Sequence, residues 1–573
     1  MAMAWYSCFF SSNAADKGNL DGKCVMSVAR DPDPAPADGR YDDYYASFRW
    51  TIPETFNFGA DVIDHWAGKR NGPALIWENA EGAERRFTYS ELSQLSNQFG
   101  NVLRKNGIVK GDRVLIVMPR IPEWVIAMIS TLKIGAIPIP CIEMLTARDL
   151  EYRVRHSEAK AIVCRATQVG KFASVLDQVP VRIALGNQPD WLELTEEMSL
   201  ASAELAAEVM SAEDPAIMYY TSGSTGHPKA VLHAARGLYA WRMSAIYWLD
   251  LSPGEVIWCT ADTGWSKAGT SILFGPMTCG ACSLIYDGPF VGADRPRLLA
   301  KHRVNVYCAP STELFRVLDE DISTHDLTAL RRTVSAGESV NPVIAERWHA
   351  KTGIRVDEAY GQTETLMLLL NYRSEPVKCG SMGRPSPGSE VDVIDVAGER
   401  LPVGQEGDLA VRMPNPQMML GYWKDEERTN ASYIHASSGL WYVTGDRAAR
   451  DEDGFFWYRG RSDDLINSAG YRIGPLEVEN ALLEHSQVQS CAVIGSLDES
   501  RGEIVKAFVV LRNGRTSSAE LTCELQEHVK SITAPYKYPR AIEYVDELPT
   551  TMTGKINRKA LRDLDRLKRA SPK

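Results

Sequence analysis

The sequence predicts an α/β protein. It has a large N-terminal body with buried, largely parallel sheets and a small β-barrel-like part, followed by a small, mobile α+β C-terminal domain. Three observations predict this. From Phe48 to Asp319, short β-branched runs alternate with longer amphipathic segments, the pattern of βαβ crossovers in a buried parallel sheet. After about Gly380, dense Gly and Pro punctuation separates short strands, which suits antiparallel hairpins. Beyond Arg459-Gly-Arg-Ser-Asp-Asp464, helices and strands of a separate small unit follow.

In order along the chain, residues 1–45 are expected to be an N-terminal extension. They lack sustained periodicity, and Asp31–Asp38 is a Pro/Asp-rich extended piece. The body, residues 46–460, should hold helices over Tyr89–Lys105 and Thr146–His156 and strands over Arg113–Met118 and Ala161–Cys164. Val304–Cys308 reads as a strand before a helix over Ser311–Asp319, and Val391–Ile394 and Asp408–Arg412 read as antiparallel strands. In the C-terminal domain, residues 461–573, proline opens a helix over Pro475–His485. Ala492–Ile494 and Val505–Leu511 are strands there, and Leu521–Ile532 is a helix.

Charge and cysteines narrow the function classes. The 573 residues carry 63 Lys+Arg against 74 Asp+Glu, a formal net charge of −11. A net acidic surface gives nucleic acid no electrostatic support, so any phosphate ligand needs a local site. The eleven cysteines are odd in number and dispersed, unlike a secreted disulfide framework. Cys279-Gly-Ala-Cys282 lacks the second ligand pair that zinc requires and reads as structural thiols. The apolar stretch Val125–Ile142 is broken by Lys133, Gly135, Pro138 and Pro140, which argues against a transmembrane segment. The first 30 residues lack a signal-type apolar run and include Asp16 and Asp21. A cytoplasmic location is expected, with the mitochondrial matrix as the alternative, and homo-oligomerisation is left open.

Five segments carry candidate chemistry. Tyr220-Thr-Ser-Gly-Ser-Thr-Gly-His-Pro-Lys229 follows an apolar run and precedes an expected helix over Ala234–Ser244. Its small and hydroxylated residues let backbone N–H groups turn inward as a phosphate nest, and Lys229 adds charge. It lacks the Walker spacing. Glu358-Ala-Tyr-Gly-Gln-Thr-Glu364 offers a flat ring at Tyr360, a hydroxyl at Thr363 and a carboxylate at Glu364 able to hold magnesium; alone it is equally a strand-to-helix turn. Thr444-Gly-Asp446 could place a carboxylate on ribose hydroxyls or be an ordinary loop. Gly460–Arg472 lies at the expected domain boundary, where Ser462 and Asp463 suit a hinge. Lys555 follows Gly554 in Pro549–Arg558 and, by itself, reads as solvated surface.

Taken together and in this order, these segments resemble the adenylate-forming superfamily of acyl-CoA synthetases, luciferases and peptide-synthetase adenylation domains. The resemblance covers about Tyr45 to Leu564. Gly264-Trp265, Ser468–Pro475 and Thr533–Arg540 are similar to the medium-chain acyl-CoA synthetase branch.

The resemblance implies an acid–thiol ligase. ATP and a carboxylic acid, a short- or medium-chain fatty acid, would give acyl-AMP and pyrophosphate, and coenzyme A would then displace AMP. It implies that Thr221, Ser222, Gly223, Ser224, Thr225, Gly226 and Lys229 cradle the β- and γ-phosphates. Gly337, Glu338 and Tyr360 would border the adenine, Glu358, Ala359, Gly361 and Gln362 would belong to the same ATP/AMP site, and Thr363 and Glu364 would face the α-phosphate and Mg2+. Asp446 would bind ribose beside Arg461, and Lys555 would bridge the carboxylate and α-phosphate. Rotation at Asp463 would exchange Lys555 for Ala469, Gly470, Tyr471 and Arg472. Arg501, Lys530, Tyr538 and Arg540 are either coenzyme A contacts or solvated surface. Trp265 is either an acyl-pocket wall or plain core, and Lys267 is expected to limit that pocket in favour of short or branched acids. His233 is expected to open the helix after the loop as a packing residue. The alternatives are an aryl acid such as benzoate, a carrier protein as acceptor, and a non-catalytic nucleotide-binding protein. Lys555, Glu364 and Asp446 are all present, against the last.

Overall fold

The apolar runs become strands buried on both faces. In Arg113–Val117 the last four residues are fully buried, and all five residues of Ile137–Cys141 are buried, as parallel sheets covered by helices require. The computed structural model describes residues 40–221, 228–376, 378–461, 464, 466–468, 471–498, 502–512, 516–533, 535–551 and 555–570. By contacts the chain groups into two compact units. The larger holds Met1–Val340, Ile344–Glu390 and Arg412–Tyr433; the smaller holds Asn341–Val343, Val391–Val411 and Ile434–Lys573.

The larger unit contains three sheets. A nine-stranded sheet runs Arg384–Pro385, Leu366–Leu370, Val356–Gln362, Arg332–Ala336, Val306–Cys308, Val256–Cys259, Cys282–Asp287, Pro73–Asn79, Glu84–Thr88. Its central strands are parallel and its margins antiparallel. A five-stranded sheet, Ile137–Cys141, Arg113–Val117, Ala161–Arg165, Val181–Leu185, Leu192–Glu193, is parallel throughout. A small antiparallel sheet joins Gly421–Tyr422, Lys229–Ala234 and Pro215–Thr221.

Helix Tyr89–Lys105 forms over the predicted span because Thr88 and Glu91 close a capping box and Leu92, Phe99 and Leu103 face the core. The broken apolar stretch resolves into helix Pro122–Lys133 and strand Ile137–Cys141. No described helix is long and apolar enough to cross a membrane.

The smaller unit holds two five-stranded sheets. The first contains Val391–Ile394, Glu406–Arg412, Gly439–Arg450 and Tyr433–Ala436, with Phe456–Arg461 also paired to Gly439–Arg450. The second contains Tyr471–Ile473, Ile466–Ser468, Gly502–Leu511 and Val488–Asp498, with Ala541–Tyr544 alongside Gly502–Leu511. Helices Pro475–Leu483 and Ala519–Ile532 pack Val478, Leu482, Leu525 and Val529 against Val493 and Val509 of that sheet.

Two expectations need correction. Ala234 ends a strand rather than starting a helix, because Lys229–Ala234 completes a hairpin with Pro215–Thr221; helices Ala235–Ala240 and Arg242–Tyr247 follow. His233 is therefore a strand residue. Glu358–Glu364 does not lead into a helix: Val356–Gln362 turns back onto Leu366–Leu370 as an antiparallel pair. Helix Tyr41–Ser47 packs on the body, with Tyr41 buried, its hydroxyl donating to Pro385 O at 2.9 Å and the Arg384 guanidinium 3.8 Å above its ring.

Candidate active site

The stretches after strands Arg332–Ala336 and Val356–Gln362 lie at the carboxyl ends of a parallel pair, where open α/β sheets bind ligands. Gly337 and Glu338 follow strand Arg332–Ala336, and Trp265 follows strand Val256–Cys259 by a short loop. Gly337 has φ +93°, a conformation that suits glycine, and Glu338 accepts the Thr312 amide at 3.0 Å.

Strand register sets the mouth of the glycine-rich segment. Thr221 and Lys229 are Cα partners; Ser222, Gly223, Ser224, Thr225 and Gly226 lie outside the described residues. The Thr221 hydroxyl is buried with no hydrogen-bond partner among the described residues, an orphan donor that a phosphate oxygen would satisfy.

Lys229 points at the second segment. Its Nζ lies 2.6 Å from Glu364 Oε1 and donates to Tyr422 Oη at 2.9 Å, and Tyr422 Oη donates to Glu364 Oε1 at 3.0 Å. Sequence reasoning missed Tyr422. The sheet delivers it, since Gly421–Tyr422 pairs with Lys229–Ala234. Burial pushes the Glu364 carboxyl up, but Lys229 and the Tyr422 hydroxyl outweigh it and hold it below its ordinary value. Burial likewise opposes the Lys229 charge, and Glu364 more than restores it. The ionised Glu364 carboxylate is the oxygen donor of this cluster, the ligand chemistry a hard cation such as Mg2+ takes.

The turn between the paired strands is tightly constrained. A Cβ at Gly361 would lie 2.0 Å from Leu366 O, and Leu366 itself has φ +55°. Thr363 in that turn is held from two sides: its hydroxyl lies 3.0 Å from Ser266 Oγ, and its carbonyl accepts from His233 Nε2 at 2.6 Å. Burial pushes the His233 pKa down to about 4, so a neutral ring donates through Nε2. The Tyr360 and Gln362 side chains are half-buried beside it, and Ala359 is buried. Glu358 faces inward, its buried carboxylate accepting the Val340 amide at 2.8 Å, and burial pushes its pKa up to about 8.

Trp265 is half-buried against a core cluster. Lys267 Nζ donates to Ala336 O at 3.0 Å, which ties its charge to the strand end before Gly337. Burial lowers the Lys267 pKa, and Cys308 and Cys259 first, then Glu338 and Glu313, more than offset that. Cys279 and Cys282 are buried free thiols pushed up to about 12, which makes them inert.

In the smaller unit, Asp446 is buried and opposite Arg461 across the strand pair, with Nη1 to Oδ1 3.5 Å apart. Lys530 and Arg540 converge on one ring: Lys530 Nζ is 4.2 Å and the Arg540 guanidinium 4.7 Å from the Tyr538 centroid, and Arg540 also donates to Tyr538 Oη at 2.7 Å. Lys555 is exposed, and its carbonyl accepts the Thr551 amide at 2.7 Å. Tyr471 and Arg472 lie on strand Tyr471–Ile473. Asp463, Ala469, Gly470 and Arg501 lie outside the described residues.

Comparison with known proteins decides the family. Residues 63–423 match the AMP-binding enzyme model, and residues 477–555 match the AMP-binding enzyme C-terminal domain. The chain belongs to the AMP-binding enzyme family. Among curated relatives, this AMP-binding enzyme is 40% identical to acyl-coenzyme A synthetase ACSM3, mitochondrial, of Homo sapiens, over 91% of this chain and 92% of that one. It is also 40% identical to the uncharacterized acyl-CoA ligase YtcI of Bacillus subtilis, over 87% and 94%. Among solved structures, it resembles the anthranilate CoA ligase AuaEII in complex with anthranoyl-AMP (TM-score 0.83, 27% identity, 92% of this chain and 100% of that one). A benzoate CoA ligase from Burkholderia xenovorans LB400 gives a TM-score of 0.78 at 30% identity, covering 88% of this chain and 100% of that one. The resemblance to adenylate-forming enzymes, and among them to the medium-chain acyl-CoA synthetases, holds.

Proposed function

We propose that this AMP-binding enzyme is an AMP-forming acyl-CoA synthetase acting on short- or medium-chain carboxylic acids. The observation that carries the reading is the Lys229–Tyr422–Glu364 cluster beside Thr363, which gathers a cation, an ionised carboxylate and hydroxyls at one strand end. In the first step a substrate carboxylate oxygen attacks the α-phosphorus of ATP, the bond to the bridging oxygen breaks, and pyrophosphate leaves. Lys229 and the Thr221 hydroxyl hold the departing phosphates, and Thr363 orients the α-phosphate. Such chemistry depends on positioning and charge neutralisation more than on proton transfer. Glu364 would hold Mg2+, whose charge offsets that of the phosphates when bound. Lys555 stabilises charge building between carboxylate and α-phosphate.

In the second step the sulfur of coenzyme A attacks the acyl carbonyl, its proton passes to solvent, and AMP leaves. Division into a body of residues 46–460 and a lid of 461–573, with rotation at Asp463, belongs to the same proposal. So do contacts of Lys530, Tyr538 and Arg540 with coenzyme A phosphates, which the shared ring cluster supports.

The test is a pyrophosphate-release assay with ATP, Mg2+ and acids from acetate to dodecanoate plus benzoate, run with and without coenzyme A. Release that peaks with a linear acid and turns over only with coenzyme A is expected. A peak with benzoate would favour an aryl acid, the reading supported by the anthranilate and benzoate ligases among the structural relatives. Coenzyme-independent turnover would move the acceptor to a carrier protein, and no release with any acid would sink the proposal. The same panel on Lys267→Ala tests whether that residue limits chain length. The mitochondrial acyl-coenzyme A synthetase among the curated relatives favours a mitochondrial over a cytoplasmic location, which fractionation of the tagged full chain would decide.

A further inference from the structure

Helix Ala147–Ser157 contributes nothing to the chemistry described above, yet its side chains reach both stems of the glycine-rich segment. Tyr152 Oη donates to Pro228 O at 3.2 Å, just after the segment, and His156 Nδ1 lies 2.8 Å from Tyr220 Oη, just before it. Residues four apart share one helix face, and here the two rings stack with centroids 5.2 Å apart and planes 14° apart. The two anchors are therefore joined through their stacked rings. Tyr220 is buried, with the Arg153 guanidinium 5.2 Å from its ring centroid. A third tether comes from Trp423, next to Tyr422: its indole donates to His156 O at 3.1 Å while its amide donates to Ala230 O at 2.8 Å.

We infer that Tyr152 and His156 are positioning residues that clamp the two stems of the phosphate-binding segment and so set its grip on the β- and γ-phosphates of ATP. The inference rests on the reading that residues 221–229 bind those phosphates. A phosphate nest works only if its N–H groups are held where the oxygens will be, and ordering those stems in advance removes a cost from the binding step. The strand ladder fixes the stems along the sheet, with Thr221 opposite Lys229. The Tyr152–His156 stack fixes them from outside the ladder.

AMP separates a clamp from ordinary packing, because it lacks the β- and γ-phosphates. On the full chain, Tyr152→Phe removes the bond to Pro228 O and keeps the stack; Tyr220→Phe removes the bond to His156 and keeps the buried ring. Calorimetry with ATP and with AMP, plus a melting curve for each variant, reads the result, and Lys229→Ala is the reference for phosphate binding. Each tyrosine variant is expected to weaken ATP about 3- to 10-fold, the loss of one neutral hydrogen bond, with AMP affinity unchanged. The double variant should lose less than the product of the two, since the anchors act together. If both tyrosine variants keep wild-type ATP affinity while Lys229→Ala loses it, the clamp is wrong and the phosphate reading stands. Equal losses for ATP and AMP would reduce the stack to packing and also overturn it. If Lys229→Ala leaves the ATP-to-AMP ratio unmoved, the phosphate reading itself fails and takes the clamp with it.

Discussion

Two of the cationic sites proposed to meet phosphate are built in opposite ways. Lys229 is placed by strand register, mostly buried, and balanced by Glu364 at 2.6 Å with Tyr422 between them. Lys530 and Arg540 are gathered by one half-exposed aromatic ring, and the neighbouring carboxylate, Glu527, is itself largely in solvent. The first arrangement holds its charges before any ligand arrives, where a low dielectric strengthens each contact. The second leaves them wet and screened, free to reorganise around a ligand that comes and goes. A group that must neutralise phosphates during bond breaking suits the former, and one that only captures a soluble phosphate tail suits the latter.

Breaking the buried cluster should give the largest effect. Glu364→Ala strands the Lys229 ammonium in a buried site, so unfolding stability should fall by about 3–5 kcal/mol, read by denaturant titration, with adenylation lost. Lys555→Ala tests whether an exposed lysine from the smaller unit serves the same step. Pyrophosphate release should drop by about 10²–10³ while thioester formation from supplied acyl-adenylate stays much less affected. Equal loss in both half-reactions would contradict two-step use of the lid.

The exposed cluster should respond more weakly. Arg540→Ala is expected to raise KM for coenzyme A about tenfold and to leave acid-dependent pyrophosphate release without coenzyme A untouched. That effect should shrink at high salt, whereas the Glu364→Ala effect should not.

Glu358 sharpens the contrast through pH. Burial raises its pKa to about 8 in the fold from an ordinary 4.5, so the folded state binds the proton more tightly. The stability this contributes is fully present below pH 4.5 and is lost as pH rises through 8. Glu358→Gln keeps an acceptor for the Val340 amide and should flatten that slope, gaining about 1–3 kcal/mol at pH 8 over wild type. Melting temperatures across pH 5–9 check it.

Local signals explain what was legible in the sequence. Helix Tyr89–Lys105 was readable because Thr88 and Glu91 cap it and its apolar positions repeat helically. The candidate residues 358–364 stood out because small, hydroxylated and acidic side chains interrupt an apolar strand. Tyr422 was not readable, since its meeting with Lys229, 193 residues away, depends on one short strand joining a distant ladder. His233 and Ala234 were misassigned to a helix because an Ala-rich run has high helix propensity, and the pairing with Pro215–Thr221 overrides it. Likewise Glu358–Glu364 became a hairpin through its pairing with Leu366–Leu370, a long-range choice that no local residue announces.

The Trp265–Lys267 turn carries a consequence for redesign. Ser266 is bonded to Thr363 and Lys267 to Ala336 O, so the stretch that would meet the acid is sewn to two stretches that would meet the nucleotide. Transplanting this turn from another acid specificity would cut both stitches at once and disturb ATP handling with it. Changing Trp265 alone leaves the stitches in place, and single side-chain exchange there is the gentler route to a new acid preference.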